Sequence, residues 1–125
     1  MCGANEGADK AVNGSWLGGW NDKWCSGGSS KWLQTDLGGT RHVGSVVIRH
    51  AGAGGEYPAW NTRDFDLLTS TDGTTWTSRA TVRGNTSDST TTTIDADARY
   101  VRLNIVTPAG DGNNAARIYE FDVRG

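Results

Sequence analysis

An all-β antiparallel sandwich is the fold class this sequence predicts, and three observations carry that prediction. Apolar residues make up only 35% of the chain, while 18 of its 125 residues are glycine, a balance that suits short strands joined by tight turns. Apolar and polar residues alternate over short segments, most clearly in ARYVRLNIVT, where Val101, Leu103 and Ile105 oppose Tyr100, Arg102 and Asn104. No segment sustains the 3.6-residue period of an amphipathic helix. The spacing of Trp16, Trp20 and Trp24 imitates that period, but Gly18, Gly19, Gly27 and Gly28 interrupt it.

The elements follow in chain order. Residues 3–31 read as loop, with a hint of a helical turn over 9–12. KWLQTDLGG, 31–39, reads as a strand because Trp32, Gln34 and Asp36 alternate with Leu33, Thr35 and Leu37, and Gly38-Gly39 ends it in a turn. RHVGSVVIRH, 41–50, is a β-branched run expected in the core. DFDLLTS, 64–70, is the next strand, and Asp72-Gly73 marks a hairpin into TSRATVRG, 77–84. NTSDSTTTTIDA reads as a turn and then an edge strand, since threonine suits strands. ARYVRLNIVT and RIYEFDVRG complete the set, separated by the Gly/Asn loop PAGDGNNAA. The count is about eight strands, in one domain spanning 1–125.

Charge and cysteine usage narrow the function classes. Twelve basic and 14 acidic residues are spread along the chain, giving a net charge of −2. Without a basic stripe, nucleic acid and anionic membrane surfaces are disfavoured. No apolar run reaches the roughly 18 residues of a membrane span. No secretory leader is read at the N-terminus, which suggests a domain excised from a larger chain. Cys2 and Cys25 fit no metal motif. Paired, they would close a loop of about 24 residues, worth roughly 3 kcal/mol, and would imply an oxidising, extracellular compartment. Two separate thiols are the alternative.

The stretch RHAGAGGEYPAWNTRDF, 49–65, is unusually rich for a connection. It holds a histidine, an acid, two aromatics and an arginine on a glycine-rich backbone, a mix that suits a binding surface.

KWLQTDLGG, a Val/Ile strand, STDGTTW, ARYVRLNIVT and ARIYEFDVRG, in this order, resemble the F5/8 type C (discoidin-like) family. Within it the similarity is greatest to the family 32 carbohydrate-binding modules of bacterial glycoside hydrolases. The resemblance implies an eight-stranded β-sandwich jelly roll, the galactose-binding-domain-like fold. It also implies a non-catalytic appendage that holds a secreted bacterial enzyme on glycans. Eukaryotic discoidin domains tie their two ends together with a disulfide; here both cysteines lie in the first fifth of the chain, away from that pattern.

Sugar recognition uses aromatic faces against the ring's C–H side and planar polar groups against its hydroxyls. The family binds sugar on loops at one end of the sandwich. The resemblance therefore points to His50, Glu56, Tyr57, Trp60, Asn61 and Arg63, with Trp20, Asp111 and Asn113 from loops expected at the same end. Trp60 is the first platform candidate, followed by Trp20 and Tyr57. Each has a plainer alternative: Trp60 could cap the sandwich, Arg63 could pair with Asp64, Asp66 or Glu56, and His50 could be a satisfied strand-end residue. Trp32 and Trp76 are expected to pack within the core, with Trp24 beneath the Cys25 staple.

The resemblance also implies a structural Ca²⁺ in the early loop. Lys10 and Ser15 would contribute carbonyls, Asn13 and Asp22 side-chain oxygens, and Tyr119 (carbonyl) and Glu120 (carboxylate) would close the site. Mixed oxygen donors of this kind suit calcium.

Catalytic signatures are missing: the sequence has no G-x-S-x-G, HExxH, P-loop or strand–helix GxGxxG. The reading is a monomeric glycan-binding module, linked to a catalytic domain, that takes terminal galactose or GalNAc. Mannose- or GlcNAc-containing glycans come second, because the 49–65 loop departs from the Arg-x-x-x-x-Asn arrangement of galactose binders. A discoidin-like protein or phospholipid adhesion domain is the rival of another class, and a small hydrolase the third.

Overall fold

A computed structural model describes residues 23–27 and 31–125. Seven strands lie among these residues: β1 Trp24–Ser26, β2 Trp32–Arg49, β3 Asp64–Ser70, β4 Thr77–Val82, β5 Ser89–Thr107, β6 Ala116–Ile118 and β7 Glu120–Arg124. They form an antiparallel sandwich. One sheet has five strands in the order β4-β3-β5-β2-β7, and the other pairs β1 with β6.

The alternating pattern acts as the sequence suggests. Val101, Leu103 and Ile105 of β5 point inward beside Leu33, Val46 and Ile48 of β2 and Phe65 and Leu67 of β3. Trp24, Ala116 and Ile118 of the small sheet close the same core. Each large apolar side chain so buried contributes about 1.5–3 kcal/mol. β2 carries three successive buried residues, Val46, Val47 and Ile48, so both faces of the strand are covered there.

Four local expectations are corrected. The segments 31–39 and 41–50 do not separate at Gly38-Gly39. They run on as the single strand β2, and the pairing with β5 shifts register between Asp36 and Arg41. Gly38, at φ 82°, supplies the left-handed residue there, so the turn signal produces a bulge in a continuous strand. The threonine run likewise merges with ARYVRLNIVT into β5, with Asp95 at φ 50° between two registers. RIYEFDVRG instead divides at Tyr119, where the chain leaves the small sheet for the large one. Finally, 24–26, read as loop, is a strand: Trp24 pairs with Ile118 and Ser26 with Ala116.

Trp32 and Trp76 are also placed differently. They flank the Arg102 guanidinium on the outer face of the large sheet, 4.7 and 4.3 Å from its centre, and Trp32 is 48% exposed. The guanidinium stacks on both rings, which explains two tryptophans outside the core.

Candidate functional site

Three connections meet at one end of the sandwich: residues 50–63 between β2 and β3, 83–88 between β4 and β5, and 108–115 between β5 and β6. The first contains two short 3-10 turns, Ala51–Gly54 and Pro58–Trp60. The glycines of the first turn allow close approach. A Cβ at Gly54 would run into the Tyr119 ring.

Between Gly55, Glu56, Tyr57 and Trp60 lies a concavity of about 470 Å³. Tyr57 is 69% exposed and meets the Trp60 ring edge-on, with centroids 4.9 Å apart and planes at 80°. Trp60 is held by two further groups. Its indole Nε1 donates to Asp111 Oδ2 at 3.0 Å, and the Arg117 guanidinium lies 4.0 Å from its ring centre. That cation lies over the Trp60 ring, while Tyr57 supplies the more exposed aromatic surface.

Glu56 organises the wall behind these rings. Its buried carboxylate lies 3.0 Å from Lys23 Nζ and 3.5 Å from Arg117 Nε, and it accepts the Tyr119 hydroxyl. Lys23 and Arg117 are both nearly buried with it. Three donors converge on one carboxylate, which leaves little acceptor capacity for a ligand. Sequence reasoning missed Lys23 and Arg117. Their only signal was a cation on either side of the core, with nothing to say that both face Glu56.

Other expected residues lie elsewhere. His50 is fully buried, with Nε2 3.0 Å from Thr90 Oγ1, and its ring packs 5.6 Å from that of Phe65. Desolvation lowers its pKa to about 4, and the nearby Asp88 charge only partly opposes this. Asn61 is 1% exposed. Its Oδ1 accepts Gly52 N–H at 2.7 Å, and its Nδ2 donates to Asp88 Oδ1 at 2.9 Å and to the Thr86 carbonyl at 3.3 Å. Neither side chain presents itself to a ligand at the surface; both fasten the loop to its neighbours. Arg63 is exposed and lines neither this concavity nor the adjoining one. No short ion pair joins Arg63 to Asp64, Asp66 or Glu56; hydrogen bonds from Thr107 and Gly84 hold the Asp64 carboxyl below its usual range, with a smaller contribution from the Arg63 charge, and Asp66 pairs with Arg83 at 2.9 Å.

Asp111 and Asn113 do join the site, as supports. Asp111 Oδ1 accepts Asn113 N–H at 3.0 Å, and Asn113 Oδ1 accepts from Ala115 N–H and Arg117. The 83–88 connection was not anticipated, although its Asn85 and Asp88 are the kind of residue that ties loops together. Asn85 Nδ2 donates to the Thr62 carbonyl at 2.9 Å.

Trp20, Cys2, Lys10, Asn13, Ser15 and Asp22 lie outside the described residues. Of the expected calcium donors, Tyr119 and Glu120 are described and buried where β6 gives way to β7. Both would present oxygen, the chemistry a hard cation takes. Cys25 is buried in β1.

The F5/8 type C domain family matches residues 2–121. The chain belongs to the F5/8 type C family. It is similar to the family 32 carbohydrate-binding module from Streptococcus pneumoniae EndoD, with 34% identity and a TM-score of 0.87, covering 98% of this chain and 87% of that one. A Clostridium perfringens module in complex with GalNAc-β-1,3-galactose superposes at TM-score 0.79 with 19% identity, covering 97% and 86% of the two chains. Chitosan-binding module 2 of a Paenibacillus chitosanase/glucanase, in complex with chitotriose, gives TM-score 0.77 and 24% identity, covering 98% and 89%. No curated protein matches the chain. This F5/8 type C domain is therefore a carbohydrate-binding module of the family 32 type, and its homologues are non-catalytic.

Proposed function

We propose that the Gly55–Trp60 concavity is where this module takes a terminal sugar, with Tyr57 as the stacking face and Trp60 as its fixed side wall. The observation that carries the reading is Tyr57 itself, a 69% exposed aromatic beside a second ring in a depression of about 470 Å³. An aromatic this exposed gains by covering a ligand's apolar face. The depression is open and small, so binding to one sugar is weak, in the range of about 0.1–1 mM. Attachment to a secreted bacterial glycoside hydrolase would turn that weak contact into retention on a glycan surface through effective concentration.

Galactose or GalNAc is the first ligand class. A mannose- or GlcNAc-containing glycan is the second, and one observation favours it: Asn61, the expected hydroxyl partner, is spent inside the protein. The remaining recognition is mostly shape and stacking.

The fold family's structural Ca²⁺ belongs to the same reading. The Glu120 carboxylate and Tyr119 carbonyl would join Lys10, Asn13, Ser15 and Asp22 in holding it. The ion would fix the early loop against the β6–β7 junction. A Cys2–Cys25 disulfide would brace the same region, in keeping with secretion.

A glycan array probed with the wild-type chain and Tyr57→Ala tests the site. At least a tenfold loss of signal on the best ligands is expected, about 1.4 kcal/mol. Undiminished binding by Tyr57→Ala removes the platform from this loop. Liposome binding without any glycan signal would favour the adhesion-domain reading.

A further inference from the structure

The outer face of the five-stranded sheet carries its own group of aromatic and polar side chains, which strand register brings together. Trp32, Gln34 and Asp36 of β2 lie opposite Asn104, Arg102 and Tyr100 of β5. Leu33, Val101 and Leu103, at positions between them, are buried in the core. The alternation of a strand therefore puts the first set on the opposite, outward face. Trp32 is 48% exposed, and Gln34 and Asp36 are exposed beside it.

Arg102 is the centre of this group. Its guanidinium is held between the Trp32 and Trp76 indoles, and Gln34 Oε1 accepts from its Nε at 3.1 Å and its Nη2 at 2.8 Å. Arginine only donates, so the oxygen end of the Gln34 amide faces it and the NH2 end is left over. Neither that NH2 nor Arg102 Nη1 has a partner among the described residues. One edge of the guanidinium is thus satisfied, and the edge made by Nη1 and the second Nη2 hydrogen is not.

The charge of Arg102 is likewise unmatched. Asp36 gives Arg99 a carboxylate, 2.9 Å from Nε and 3.1 Å from Nη2. Asp66, opposite Asn104 on β3, is taken by Arg83 at 2.9 Å. Arg102 has only a neutral amide. Beside an exposed indole there is therefore a fixed cation and an amide NH2, all of them donors. The Asn104 amide, opposite Trp32, is engaged by nothing else among the described residues. An aromatic face with planar polar groups suits a sugar, but an excess of donors around a positive charge calls for an acceptor that is itself charged. A planar carboxylate meets a guanidinium edge with two parallel bonds. Because the indoles already hold the guanidinium, little ordering remains to be done on binding.

We propose that this outer face is a second binding site, separate from the Gly55–Trp60 concavity, and that it takes a uronic-acid unit of an acidic glycan. The carboxylate pairs with the free edge of Arg102 and with the Gln34 NH2, and the sugar ring lies toward Trp32 and the Asn104 amide. One such contact on an open face is weaker than binding in the concavity, so the best-binding neutral sugar still goes to Gly55–Trp60. The outer face adds retention on a polymer, where uronic units repeat.

Gln34→Glu isolates the site. It keeps the shape of the side chain, gives Arg102 a carboxylate of its own and removes the free NH2. The ¹⁵N-labelled chain would be titrated with the β-1,4-linked trimer of glucuronic acid and with cellotriose, its neutral counterpart, while the Trp32 and Trp76 indole N–H shifts are followed. The acidic trimer is expected to move both indoles, binding about tenfold more tightly than cellotriose, as fits loss of a hydrogen-bonded charge. Gln34→Glu should remove that advantage while the amide spectrum elsewhere stays as in wild type, which reports that the variant is folded. Tyr57→Ala should keep the full response to the acidic trimer, so failure of the concavity reading leaves this one standing.

Equal responses to cellotriose and the acidic trimer overturn the proposal. So do shifts from the acidic trimer that fall only at residues 55–60, or an undiminished response in Gln34→Glu. Shifts at Trp32 with sulfated cellotriose but not with the uronic trimer overturn the carboxylate in favour of a sulfated sugar. Shifts with a hexaglutamate peptide alone overturn the glycan in favour of an acidic protein segment.

Discussion

Replacing Glu56 by alanine should destabilise the whole domain, although the residue sits in a surface connection. Its carboxylate is shared by Lys23 at 3.0 Å and Arg117 at 3.5 Å, all three side chains being about nine-tenths buried. Removing one partner of a buried ion pair costs roughly 3–5 kcal/mol, because the buried cations lose this carboxylate without regaining water. Arg117 keeps Asn113 and the Ala115 carbonyl as partners, which places the loss near the lower end, about 3 kcal/mol. With an unfolding entropy of roughly 2.1 cal/mol/K per residue, spread over 125 residues, that lowers Tm by about 11 °C. Differential scanning calorimetry of wild type and Glu56→Ala measures it directly. Asp122→Ala is the internal contrast. The Arg124–Asp122 pair is shorter, at 2.7 Å, yet about half exposed, and its loss should cost less than about 1 kcal/mol. A Glu56→Ala midpoint within about 4 °C of wild type would refute the claim that this cluster holds the wall of the Gly55–Trp60 concavity.

Two further outcomes follow from buried groups. His50 titrates at about 4 when folded against 6.5 when free, so the unfolded chain binds the proton first. Stability is therefore fully present above pH 6.5 and falls as pH drops through 4, by about 3 kcal/mol in all. Urea midpoints between pH 7 and 4 should show the decline, and His50→Gln should flatten it. A flat wild-type profile would contradict the buried neutral imidazole. For the proposed calcium, EDTA should lower Tm by roughly 10 °C if the ion is held at about 100 times its dissociation constant, a stabilisation of about 2.7 kcal/mol. Restored Ca²⁺ should reverse the shift, and an unchanged midpoint would argue against the ion.

The fold was legible because alternation survives in isolation. Val101, Leu103 and Ile105 declare an inward face whatever surrounds them, and the structure buries that face. Strand boundaries were less legible. Gly38-Gly39 ends a strand in one context and bulges it in another, and only the register against β5 decides which. β1 escaped notice because three residues carry no period.

At the site, the residue types of 49–65 pointed to the right loop but not to the direction of each side chain. Polar residues such as His50 and Asn61 look like ligand contacts in a sequence. Here both side chains are engaged within the protein: Asp88 of the 83–88 loop meets Asn61 through its side chain, and the His50 ring meets the Thr90 hydroxyl of β5, while the Asp88 carbonyl accepts the His50 backbone N–H at 2.7 Å. Tyr57 and Trp60 looked interchangeable as platforms. The difference came from Arg117 and Asp111, more than fifty residues away in the chain, which hold Trp60 and leave Tyr57 exposed.

The most direct test of the glycan site is a titration of ¹⁵N-labelled protein with the best-binding sugar, followed by amide and indole N–H chemical shifts. Shifts should concentrate at residues 55–60 and at the Trp60 indole, while the indoles of Trp32 and Trp76, stacked on Arg102 across the sheet's outer face, stay in place. Shifts gathered at Trp32 and Trp76, with Trp60 and Tyr57 unmoved, would contradict it.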